Sequence, residues 1–328
     1  MKKVGWFSIL VATAVLTFPV ITEAQQTGKI FRIGFLDNSN ASGIAVLLEA
    51  FRQELRKLGW IEGKNINIEY RFGENKGPER LPELAADLVR LKVDLIVGSG
   101  TTAALAAKKA TTTIPIVMTS VVDPVGAGLV ASLARPGGNV TGISALSPEL
   151  NSKRLEILKD AVPKLARVGL LQSSGATDFQ LKDVRPAALA LKLTLEEIET
   201  QPDAKGLESA FNTAKQKQVG AIMTMTTRQF FAERKRIVEL ADKYGLPAIY
   251  FQKEFVDEGG LMSYGADYND LHRRAAVYVD KILKGAKPAD LPVQQATKFE
   301  FIINLKAAKQ IGLTIPVCVL ERANQVIR

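Results

Sequence analysis

The chain is predicted to fold as an α/β protein of two lobes, each a doubly wound parallel sheet. Two observations predict this. Short β-rich apolar runs alternate with segments of helical periodicity, and strand–helix–strand spacing of this kind gives parallel strands with helical crossovers. The alternation also begins afresh near residue 145, and 328 residues are comfortable for two domains.

The elements follow in order. Phe31-Arg32-Ile33-Gly34-Phe35-Leu36 reads as the first strand. The helix after it carries Val46, Leu47, Ala50, Phe51, Leu55 and Leu58 on one face, and Gly59 ends it. Ile66–Tyr70 alternates as a strand does, and a helix is expected over 78–91. Val93–Val97 is a strand, 101–110 an Ala-rich helix, and Ile114–Met118 the next strand. After the turn-rich Arg135-Pro136-Gly137-Gly138-Asn139, a helix over 149–162 leads into a strand at Val168–Leu171. Strands at 194–198, 220–225 and 247–251 then alternate with helices at 179–191, 205–217 and 229–244. Gly245 and Pro247 stop the last helix. Lobe one is expected to comprise 25–145 with 266–295, and lobe two 146–265 with 296–328. In open α/β sheets ligands sit at the carboxyl ends of strands where strand order reverses, so functional residues belong in the loops after strands.

Composition narrows the function classes. Met1-Lys2-Lys3, an apolar run to Ile21 and the small residue Ala24 before a polar stretch read as a signal peptide cleaved after Ala24, which places the mature protein in the periplasm. No later stretch is apolar enough to span a bilayer. Cys318 is the only cysteine, so no internal disulfide forms. It lies too far from the N-terminus to carry a lipid there, and a buried, small apolar role is expected for it. Net charge is +9, and +8 without Lys2, Lys3 and Glu23. The basic residues are mixed with acidic ones. Even the densest group, Arg228, Arg234, Lys235 and Arg236, encloses Glu233, so solvated helix faces are expected rather than a nucleic-acid surface.

Catalysis finds little support. His272 is the only histidine, set among Asp270, Arg273 and Arg274 and expected to be exposed. There is no Gly-x-Ser-x-Gly turn, and His and Cys are too few for a metal site. The reading is a non-enzyme with no cofactor and no metal. Gly98-Ser99-Gly100-Thr101-Thr102-Ala103 follows a strand and opens a helix. It admits three readings: a carboxylate site on a helix N-terminus, a structural turn, or a dinucleotide fingerprint with Asp123 downstream. The candidate ligand-binding residues are Asn38, Ser39, Ser99, Gly100, Thr101, Thr102, Thr119, Asp123, Ser173, Asp178, Thr226, Tyr250 and Asp267. The hydroxyls and amides would bind a carboxylate, Tyr250 with Phe251 and Tyr264 would form an aromatic wall, and Asp123, Asp178 or Asp267 would pair with an ammonium. Each also suits a cap or turn.

Three long segments resemble one family. They are Asp123–Val130 with Leu133–Gly142, then Gly259–Gly265, then Tyr278–Pro292 continuing through Phe299, Asn304-Leu305-Lys306 and Gly312–Pro316. Together they are similar to the ABC transporter substrate-binding family that includes tryptophan-binding lipoproteins. The resemblance implies a type I periplasmic binding fold with three crossovers between lobes. It implies delivery of a small organic ligand, an amino acid or other small carboxylate, to an ABC permease driven by a cytoplasmic ATPase. The protein itself is expected to act as a monomer, meeting the membrane only through the permease. Members often carry Tyr-Asn-Pro after the first strand of lobe two, where this chain has Leu171-Gln172-Ser173, and Val317-Cys318 replaces a usual Pro-Ser. Two other functions stay open: a sensing module for a membrane receptor, and a secreted dinucleotide-dependent oxidoreductase.

Overall fold

The computed structural model describes residues 29–74, 78–145, 147–173 and 181–328; the expected signal peptide and Asp178 lie outside them. In the first sheet β1 (Phe31–Asp37), β2 (Ile66–Phe72), β3 (Leu95–Ser99), β4 (Ile116–Val121) and β5 (Val140–Ser144) stand in the order β2-β1-β3-β4-β5. In the second, β6 (Arg167–Ser173), β7 (Thr194–Thr200), β8 (Ala221–Thr224), β9 (Ala248–Tyr250) and β10 (Met262–Ala266) repeat that order as β7-β6-β8-β9-β10. A late strand closes each far edge: β11 (Gln294–Gln295) on β5, and β12 (Phe299–Asn304), followed by β13 (Gln325–Ile327), on β10. The β10–β12 pair is antiparallel, the one departure from the expected parallel pairing among the described strands.

Around the first sheet lie α1 (Ala41–Lys57), α2 (Leu81–Arg90) and α3 (Thr101–Ala110). The second carries α4 (Ser147–Ala161), α5 (Val184–Ala190), α6 (Ala204–Gln216), α7 (Arg228–Ala232), α8 (Arg234–Lys243) and α9 (Glu254–Asp257). The long α10 (Tyr268–Leu283) returns to pack on α1, β4 and β5, and α11 (Leu305–Gln310) and α12 (Val317–Leu320) end the chain. The backbone thus passes between the sheets three times: from β5 to α4, from β10 to α10, and from β11 to β12. No described helix is long and apolar enough to cross a membrane.

Side-chain alternation on β1 shows how each sheet is covered on both faces. Phe35 joins a core with Phe51 of α1, and Leu36 joins the opposite core with Leu88 and Ala104 of α2 and α3. The first of these cores is continuous with Phe230, Phe231, Phe251 and Tyr268, so one apolar body runs from the first sheet to the second.

Several details differ from the sequence reading. Val46, expected on the buried face of α1, is 47% exposed. It lies about 200° around the helix from buried Ile44. β5 was not foreseen because Gly142 interrupts its apolar run. That glycine has φ 135°, and a Cβ there would meet the Met118 carbonyl oxygen at 2.1 Å, so only glycine fits beside β4. The single helix expected over 229–244 is two, broken at Glu233. Cys318, expected to be buried, is exposed on the first turn of α12.

Candidate functional site

Strand order reverses between β1 and β3 in one sheet and between β6 and β8 in the other. At the first reversal Asp37 and Ser99 are register partners, and Ser99 pairs in turn with Thr119. All three are fully buried, and Asn38 and Ser39 nearly so. Asp37 Oδ1 accepts from the Ser39 amide at 2.7 Å and the Ser39 hydroxyl at 2.5 Å. Asp37 Oδ2, Asn38 Oδ1 and Ser99 Oγ have no hydrogen-bond partner among the described residues. Buried polar atoms are rarely left so, which makes this sheet edge a candidate place for a guest.

The facing edge repeats this pattern with opposite polarity. Thr227 caps α7, its hydroxyl accepting from the Phe230 amide at 3.0 Å, and that turn aims Arg228 inward. Arg228 is 6% exposed. Its guanidinium lies over the Tyr268 ring at 4.9 Å and the Phe231 ring at 5.4 Å, and Nη2 donates to Gln252 Oε1 at 3.3 Å. Nη1 has no partner among the described residues, nor has Gln252 Nε2 or Thr224 Oγ1. The Arg228 stem crosses Gly100, where a Cβ would stand 3.0 Å from Arg228 Cγ. Gly100 is the N-cap residue of α3, with φ 84° and no side-chain cap. The N-terminus of α3, with its partial positive charge, therefore meets a guanidinium from the other lobe.

A second arginine lies close by. Arg154 of α4 is fully buried; Nη1 donates to the Tyr264 carbonyl at 3.0 Å, and Nη2 to Thr226 Oγ1 at 3.2 Å and to Asn151 Oδ1. Its Nε is unpartnered among the described residues. Burial pulls its pKa down to about 10, which leaves it charged at neutral pH.

His272 belongs to the same group and is fully buried, not exposed as expected. Its Nδ1 lies 2.8 Å from the Tyr268 carbonyl oxygen. That oxygen only accepts, so Nδ1 carries the proton and Nε2 is a bare acceptor. Burial first, then the Arg228 charge, pulls its pKa from 6.5 down to about 3. Between those values the unfolded chain binds a proton that the folded chain refuses, so this site lowers stability as pH falls below 6.5, until about pH 3. The expected slope is up to about 1.4 kcal/mol per pH unit. Denaturant melts of wild type and His272→Gln from pH 7 to 4 check this. The variant should lose less stability on acidification, and equal slopes would contradict the buried, neutral ring.

The sequence candidates divide. Asn38, Ser39, Ser99, Gly100, Thr119 and Thr226 gather at the two facing edges, with Ser173 buried at the end of β6. Thr101 accepts from the Val122 amide at 3.2 Å, and Thr102 is exposed. Asp123 Oδ1 accepts from the Gly126 amide at 2.8 Å as a turn residue. Asp267 caps α10, accepting from the Asp270 amide at 2.9 Å. Tyr250 is core: its ring stacks on Phe255 at 4.7 Å, away from the group. Phe251 and Tyr264 likewise pack on Phe255 and Phe301. Arg154, Arg228, Gln252 and Tyr268 were missed. The charge pattern puts Arg228 on a solvated face, although two of the three residues after it, Phe230 and Phe231, are aromatic and it lies only four residues past the end of β8.

Two α/β lobes with three crossings and a polar, inward-facing cleft define a two-lobed ligand-binding protein. The chain belongs to the ABC transporter substrate binding protein family, whose model matches residues 41–327. It is 32% identical over 271 residues to a tyrosine-binding protein of Clostridioides difficile (strain R20291), covering 81% of this chain and 76% of that one. Its fold superposes with TM-score 0.81 on an ABC domain in complex with L-Trp from Streptococcus pneumonia, 29% identical, covering 90% of this chain and 99% of the other. Against the ligand-free, open structure of a substrate binding protein with adhesive properties from Clostridium difficile the TM-score is 0.62, at 25% identity, covering 91% and 99%.

Proposed function

We propose that this protein is the periplasmic, exported component of an ABC uptake system and that it captures a small carboxylate in the interlobe cleft by hinge closure. It hands the ligand to a permease powered by a cytoplasmic ATPase. The lobes that move are 25–145 with 266–295 and 146–265 with 296–328. The observation that carries the reading is Arg228, buried on lobe two yet lying across Gly100 at the N-terminus of α3 on lobe one, with Nη1 unpartnered among the described residues. A carboxylate there accepts from the guanidinium and from the first amides of α3. Both donors are in reach only when the lobes are together, so the ligand favours the closed form by that difference. The higher superposition on the L-Trp complex than on the open relative, at similar identity, supports a two-state hinge. The amino acids named for the relatives make such molecules the first to assay.

The test is calorimetric titration of residues 25–328 with amino acids, hydroxy acids and aromatic acids, each beside its carboxamide. A bound acid should lose at least about tenfold in affinity as the amide, the low end for a charged hydrogen bond. Acid and amide binding alike would sink the carboxylate site.

A further inference from the structure

We infer that the ligand of this cleft carries a net negative charge, so that a neutral zwitterionic amino acid is not its preferred occupant. The inference rests on the carboxylate reading above and adds the charge of the whole ligand.

The argument is a census of buried charge at the facing edges. Arg154 and Arg228 contribute two cations, and Asp37 one anion; all three are at least nine-tenths buried. The other buried carboxylate of that edge, Glu254, accepts from Asn269 at 3.0 Å and is offset by the charge of Lys253 beside it in the chain, so this pair leaves the balance unchanged. No carboxylate lies within 4.0 Å of either guanidinium, and no cation within 4.0 Å of Asp37, among the described residues. The arginines are close together. Arg154 bonds Thr226, two residues before Arg228, and Tyr268 lies under Arg228 while its phenol also acts on Arg154. The titratable neighbour from α10, His272, stays neutral near pH 7 and cannot serve as a counter-charge. Each arginine keeps an N–H with no acceptor among the described residues, Arg154 Nε and Arg228 Nη1.

A buried charge is stable only when another charge balances it and its hydrogen bonds are made. A zwitterion leaves the closed cleft with one excess positive charge, whereas a ligand of net charge −1 brings it to zero. Asp37 Oδ2 and Ser99 Oγ then take donors from the ligand. If that donor is a hydroxyl, one carboxylate suffices. If it is an ammonium, the ligand needs two carboxylates. Either way the occupant is a monoanion overall, and a hydroxylated monocarboxylate is the smallest molecule that offers both the charge and the donor.

The experiment compares pairs that share a skeleton and differ in net charge: glycolate with glycine, phenyllactate with phenylalanine, 4-hydroxyphenyllactate with tyrosine, and glutamate with glutamine. Melting temperature of residues 25–328 at fixed pH 7 and ionic strength is the readout, with calorimetry for any pair that responds. The anionic member should bind at least about tenfold tighter in every responding pair. The variant Arg154→Met should shrink that preference about tenfold while keeping the acid-over-amide preference. Wild type that favours the zwitterion, or binds both members equally, overturns the inference and leaves the carboxylate reading intact. Loss of acid-over-amide discrimination overturns the carboxylate reading itself, and a panel in which no pair responds counts against both. An R154M protein that fails to fold leaves the wild-type comparison to decide.

Discussion

Arg228→Gln is expected to weaken binding of the carboxylate ligand by about 10- to 100-fold while leaving the ligand-free protein about as stable as before. The first half follows from replacing a charged donor by a neutral one; hydrogen bonds to charged groups contribute about 1.5–3 kcal/mol, and each 1.4 kcal/mol is tenfold in affinity. The second half follows from what Arg228 lacks. Its side chain is buried with one N–H unpartnered among the described residues, and the rings of Phe231 and Tyr268 only partly compensate its desolvation. A merely structural arginine would behave oppositely, with stability falling and affinity unchanged. Calorimetric titration and a thermal melt of the same preparation separate the two. Unchanged affinity with a lowered melting temperature would remove Arg228 from the site.

Gly43→Ala should disable closure without disturbing either lobe. Gly43 sits in the first turn of α1, on lobe one, where Asn40 Oδ1 caps the helix by accepting from its amide at 2.7 Å. Its carbonyl accepts from Arg234 Nη1 of lobe two at 3.2 Å. A Cβ at residue 43 would stand 2.4 Å from the Ala232 Cβ and 2.8 Å from its Cα. Nothing flexible is available there to yield, because both partners are helix backbone or the atom attached to it. Inserting one methyl into such a contact costs about 1–3 kcal/mol. That cost falls on the closed form alone, and alanine suits the helix better than glycine in the open form. Affinity should therefore drop about tenfold or more, while the ligand-free melting temperature holds or rises. Small-angle scattering with saturating ligand checks the cause. The variant should stay more extended than wild type, and identical compaction with unchanged affinity would mean the α1–α7 contact does not gate closure.

Much of the architecture was legible because it rests on periodicity. The Ile33–Leu36 run, the Ala-rich helix after Gly100 and the stop at Gly245 are local signals, and tertiary contacts reinforce them. What escaped was fixed by distant neighbours. Gly142 reads as a strand breaker until Met118 is placed beside it. Asp270, Arg273 and Arg274 suggest an exposed His272, yet Asp270 is itself buried against Arg274 and Lys298, and the imidazole turns inward. The site was half visible for the same reason. Hydroxyl and amide residues after β1 and β3 follow from the rule that ligands lie at strand ends. Arg154 and Arg228 lie within helices, in positions that ordinarily carry solvated charge, and only their burial between two sheets distinguishes them. Tyr250 erred the other way: a strand-end aromatic whose ring turns back under α9.

The indole of Trp60 gives the lobe-one scaffold a private optical signal. Trp60 Nε1 donates to Asp280 Oδ1 at 2.9 Å, and its ring meets Phe31 edge-on at 5.6 Å between centroids. It follows the C-terminus of α1, whose 17 residues hold it about 25 Å from the cleft end of that helix. Trp6 and Trp60 are the only tryptophans in the chain, so once residues 1–24 are removed emission comes from one fluorophore. Excitation at the red edge will then follow denaturation of the scaffold faithfully yet stay silent during capture. A flat fluorescence titration of this protein would be no sign that nothing has bound.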